Sequence, residues 1–86
     1  VTLDLPTLAV ILAGLDDQCR YPDIKRVAIG PKTRCTGSPE ALNQLVTELN
    51  DRATEGADGF AHSGRDKKVF RRAVVSARRQ GVEPRE

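Results

Sequence analysis

The stretch Val1-Thr2-Leu3-Asp4-Leu5-Pro6-Thr7-Leu8-Ala9-Val10-Ile11-Leu12-Ala13-Gly14-Leu15 governs the fold class, because it reads in two ways. In the first, a helix runs from about Leu5 to Cys19. Asp4 supplies its N-cap, and Pro6 fits the first turn, where a missing N–H costs nothing. At about 100° per residue, Leu8, Leu12 and Leu15 fall on one flank and Ala9, Val10 and Ala13 on the others. A helix apolar on every side belongs in the centre of a core. In the second reading, Val1, Leu3 and Leu5 alternate with Thr2 and Asp4 as a short strand leading into the helix. The first reading gives a mainly α fold with three helices, about 5–19, 39–55 and 65–80, and a short β-hairpin near 24–36. The second gives a small α+β sandwich and ranks behind it.

The rest of the chain is consistent with either. Tyr21-Pro22 marks a boundary, since a residue before proline avoids the helical region. Gly30-Pro31 is a turn signal with β-rich residues on both sides, which makes 24–36 a hairpin. A short helix over Asp23–Ile29 competes with it. Ser38, Pro39 and Glu40 then form a helix start, and Leu42, Leu45, Val46, Leu49 and Ala53 recur on one face. The segment from Gly56 to Gly64 reads as a glycine-rich loop with Phe60 plugging into the core. A last helix ends at Gly81, and 82–86 form a polar tail that frays.

With 86 residues the chain makes a single domain, and at this size only roughly 60% of the unfolded surface is buried on folding. The apolar run from Leu8 to Leu15 falls short of the ~20 residues of a membrane span. No cation precedes it, so it reads as part of the mature domain and not as a leader. Cys19 and Cys35 are the only cysteines and His62 the only histidine, which argues against structural zinc. A Cys19–Cys35 disulfide would close a loop of about 16 residues and add about 3 kcal/mol; two buried free thiols are the alternative.

The charge distribution carries the functional reading. A net charge of +2 conceals a partition: residues 1–57 hold six basic and eight acidic residues, and residues 58–86 hold eight and four. On a helical wheel of the last helix, Val69, Phe70, Ala73, Val74 and Ala77 share one arc. Arg65, Lys68, Arg71, Arg72, Arg78 and Arg79 share the other, interrupted only by Val75. Like charges at these spacings repel by a few tenths of a kcal/mol per pair, so stability alone favours interspersed acids. Lys25, Arg26, Lys32 and Arg34 form a second group in a segment, 24–39, that contains no acid. If the hairpin lies beside the last helix, the two groups merge into one patch of about ten cations, the footprint of phosphate-backbone binding.

These features predict a non-catalytic module for an anionic partner, foremost nucleic acid, held through Lys68, Arg71, Arg72, Arg78 and Arg79 with help from Lys25, Arg26, Lys32 and Arg34. Duplex DNA or structured RNA fits better than single strands, because the chain has few aromatics for base stacking: Tyr21, Phe60 and Phe70. Neither ribbon-helix-helix nor helix-turn-helix spacing is met. The alternative is a protein-interaction module, an inhibitor, toxin subunit or effector, associating with a partner or a second copy through the apolar N-terminal helix. Catalysis ranks lower. His62-Ser63-Gly64-Arg65-Asp66 is the one candidate cluster, and no nucleotide, dinucleotide or nucleophile-elbow motif implies a cofactor. Asp16-Asp17 reads as a turn more readily than as a metal site.

Overall fold

A computed structural model describes residues 1–54 and 64–85. The elements in order are β1 (Thr2–Pro6), α1 (Thr7–Leu12), β2 (Lys25–Ile29), β3 (Lys32–Thr36), α2 (Pro39–Thr54) and α3 (Gly64–Arg79). The strands form an antiparallel sheet in the order β1-β3-β2, so the protein is a small α+β domain with two main helices. The glycine-rich loop with Phe60 and His62 lies outside the described residues.

The N-terminal stretch follows the strand reading. Leu3 and Leu5 are fully buried while Thr2 faces solvent and Asp4 is half-buried, the alternation of a strand covered on one side. Asp4 is therefore not a cap; it sits directly opposite Arg34 of β3. The helix expected over 5–19 is corrected to Thr7–Leu12. Gly14 ends it, with φ +70°. The Gly14 N–H donates to the Ile11 carbonyl at 3.0 Å, and the Leu15 N–H donates to the Val10 carbonyl at 2.9 Å. This pair of backward bonds closes a helix at a left-handed glycine, and Leu15 and Val10, both buried, pack behind it. The helix is not buried on every side either: Leu8 and Ile11 remain 56% and 54% exposed.

The hairpin forms as expected, turning at Gly30 with φ +61°. Thr7 ties it to α1: its N–H donates to the Pro31 carbonyl at 2.9 Å, and its hydroxyl lies 2.9 Å from that of Thr33. Opposed residues share a face. Leu3, Leu5, Thr33, Cys35, Arg26 and Ala28 form the inner face, and Asp4, Arg34, Lys32, Lys25, Val27 and Ile29 lie on the outer one. On the inner side α3 packs against β1 and α1, and α2 packs against α3.

The two long helices match their sequence patterns. The Ala41 N–H donates to Ser38 Oγ at 3.1 Å, the expected cap, and Leu42, Leu45, Val46, Leu49 and Ala53 are buried. On α3, Phe70, Ala73, Val74 and Ala77 are buried on the predicted arc. Gly81 (φ +90°) stops the helix with the same pair of bonds, Gly81 N–H to Arg78 carbonyl and Val82 N–H to Ala77 carbonyl, each 3.0 Å. The tail is fastened to α2, contrary to the expectation of fraying. Val82 is buried, Asn43 Nδ2 donates to the Glu83 carbonyl, and the Arg85 N–H donates to Thr47 Oγ1 at 2.8 Å.

Candidate nucleic-acid interface

Helical geometry positions the first group of cations. Because Phe70, Ala73, Val74 and Ala77 are drawn into the core, Lys68, Arg71, Arg72, Arg78 and Arg79 are turned to solvent, and all five are exposed. With Arg65 they extend over about 21 Å at 1.5 Å per residue. Among the described residues none of the five forms an ion pair. Val75, 48% exposed, lies within this stripe.

The stripe borders the sheet on one flank. The Gln80 amide accepts from the Asp4 N–H at 2.8 Å and donates to the Asp4 carbonyl at 2.7 Å, so that flank of α3 is the one beside β1. Gln80 Nε2 is itself held at 3.1 Å by Ser76 Oγ, one turn back. Arg72 and Arg79 lie about 40° and 60° round the helix from Ser76, next to this edge.

The hairpin cations do not join the stripe into one patch of ten. The strand beside α3 is β1, which separates it from β3 and β2, and Asp4 of β1 neutralises Arg34. Arg34 Nε donates to Asp4 Oδ1 at 3.0 Å, and Nη2 donates to Oδ2 at 3.5 Å. That hydrogen bond, and the carboxylate charge behind it, hold the Arg34 guanidinium still more firmly protonated than usual. Arg26 faces the inner side of the sheet. Its Nη1 donates to the Arg20 carbonyl at 3.0 Å and its Nη2 to the Tyr21 carbonyl at 3.3 Å, while Nε is buried with no partner. Lys25 and Lys32 remain exposed on the outer face. The condition for one merged patch is not met, and the cations form two separate groups: five on α3, and Lys25 and Lys32 on the outer face of the sheet.

Three features had no signal in the sequence reading. Glu48 on α2 collects Arg20, the Tyr21 hydroxyl at 3.0 Å and Arg52 at 3.3 Å. This cluster pins the segment after α1 to α2. Burial, then the Glu48 carboxylate, pushes the Tyr21 phenol up to about 12. The second is the Gln80 contact with β1. The third is an open pocket of about 200 Å³ beside β2, lined by Thr7, Val10, Ile11, Asp16, Arg26, Ala28 and Thr33.

Of the two readings for the cysteines, the free thiols are found, with one of them exposed rather than buried. Cys19 is free and exposed, its N–H donating to Asp17 Oδ1 in a turn at 2.9 Å; Cys35 is free and buried on β3. Asp17 thus serves the turn, as its sequence context implied. Burial pushes the Cys35 thiol up to about 11. Among the described residues, no helix is long and apolar enough to cross a membrane. No protein-family model, curated protein or solved structure matches this chain.

Proposed function

We propose that this chain is a non-catalytic binding module for an anionic partner, nucleic acid held through its phosphate backbone. The carrying observation is the exposed face of α3. Lys68, Arg71, Arg72, Arg78 and Arg79 share it, and no carboxylate of the described residues pairs with them. A surface with unpaired cations over about 16 Å reaches several phosphates of a duplex without any base contact. Lys25 and Lys32, on the outer face of the sheet, add to the long-range field rather than to the contact itself.

A second reading is a protein-interaction module associating through the N-terminal apolar segment. The exposure of Leu8 and Ile11 supports it. Salt separates the two. The first reading expects binding to duplex DNA or RNA that weakens steeply as salt rises, and Arg71→Ala/Arg72→Ala lowers the log–log slope by about 1–2. A chain that binds neither duplex at low salt, or whose slope is unmoved by the double substitution, rejects it. Light-scattering evidence of association that persists at high salt is the mark of the second.

A further inference from the structure

The outer edge of β2 is unpaired among the described residues, and the ladder tells which of its groups are free. Hydrogen bonds in an antiparallel pair alternate. Asp4 turns its N–H and C=O away from β3 toward Gln80. Its opposed partner Arg34 therefore turns its own toward β2, where it faces Val27. The alternation leaves the N–H and C=O groups of Arg26 and Ala28 on the free edge. The pocket beside Val10 and Ile11 opens on the inner side of that edge, next to Ala28. On its outer side Val27 and Ile29 are 46% and 51% exposed, with Lys25 at one end and Lys32 opposite Ile29.

We propose that β2 is a docking edge for an extended segment of a partner protein, one that alternates acidic and apolar side chains and adds to the sheet as a fourth strand. Charge selects this occupant over a second copy. Two copies joined at β2 would gather four lysines on one face, and the segment 24–39 offers no acid to offset them. Lysine on an edge blocks self-pairing in this way and leaves the edge open to a strand of opposite charge. The backbone groups of Arg26 and Ala28 align the incoming strand. The residue opposite Ala28 places an apolar side chain in the pocket. The acidic residues run along the outer face beside Lys25 and Lys32, with their aliphatic stems over Val27 and Ile29.

The proposal does not depend on α3; of the exposed N-terminal apolar residues it uses Ile11, in the pocket lining, and not Leu8. It is tested on the full chain by fluorescence anisotropy with two labelled peptides of about nine residues, a strand's length. One alternates Glu with Val, the other Lys with Val. The Glu/Val peptide binds, with amide shifts centred on Arg26 and Ala28, and the Lys/Val peptide does not. Ala28→Pro removes one outward N–H, which proline tolerates at an edge, and weakens binding roughly tenfold or more. Lys25→Glu reverses the peptide preference and guards against a misfolded proline variant. Arg71→Ala/Arg72→Ala leaves peptide binding unchanged. The proposal is overturned if the Glu/Val peptide fails to bind at about 1 mM. It is equally overturned if both peptides bind alike, or if the chain dimerises through β2 instead.

Discussion

Cys35 shows how a single burial couples to the whole molecule. Its thiol is fully buried on the inner face of β3, where burial disfavours the charged thiolate. The folded-state value, near 11, lies above the ordinary 9.0. Below pH 9 both states hold the proton and the full contribution is present. As pH rises from 9 toward 11 the unfolded chain releases it first, and stability falls. Tyr21 extends the loss, since its phenol moves from 10.0 to about 12. Chemical denaturation across this range is expected to show a declining unfolding free energy. In Cys35→Ala the decline between pH 9 and 11 flattens, whatever that variant costs at neutral pH. At pH 8 an aromatic disulfide reagent titrates Cys19 at once and reaches Cys35 only in denaturant.

The elements differ in how plainly the sequence announces them. α2 and α3 were legible because each carries a one-sided apolar face, with a start signal for α2 and a glycine stop for α3: Ser38 and Gly81 do in the structure what their types suggest. The first fifteen residues were misread because apolar content outweighed two small signals. The alternation of Leu3 and Leu5 with Thr2 and Asp4 was the first, and Gly14 was the second. A strand running straight into a short helix has no polar face to set a period, so periodicity alone does not divide it. Gly14 is decisive for the element. Gly14→Ala meets open packing, with Arg20 Nη1 at 3.7 Å as the nearest atom, but must hold φ +70°. It is expected to cost about 1 kcal/mol, lowering Tm by roughly 4–8 °C in a thermal melt. A neutral result means that the α1 stop is not set by this backbone angle.

At the scale of the whole molecule, the charges were legible as a list and not as a surface. Every candidate cation on α3 is where the wheel put it. The merger with the hairpin failed because it depended on which strand lies next to α3. That neighbour is β1, which the helix reading of 5–19 left without a place in the sheet, and its Asp4 pairs with Arg34. Arg26 was lost to the outer surface for a different reason: its register opposite Cys35 within the hairpin turns it inward. β1 thus accounts for one of the two redistributed cations, Arg34, and the hairpin register for the other.

The Gln80 amide has an implication for assembly. It occupies the backbone groups of Asp4 as a neighbouring strand would, and so gives the sheet a closed side and an open side. The chain itself therefore has a valence of one for strand addition: it offers the β2 edge and, with Asp4 occupied, not the β1 edge, so copies do not join directly edge to edge into a ribbon. Gln80→Ala raises that valence to two. In sedimentation or light scattering the variant is expected to give larger, concentration-dependent species when the Glu/Val peptide is supplied as a linked dimer, where the natural chain stops at two chains per linked peptide.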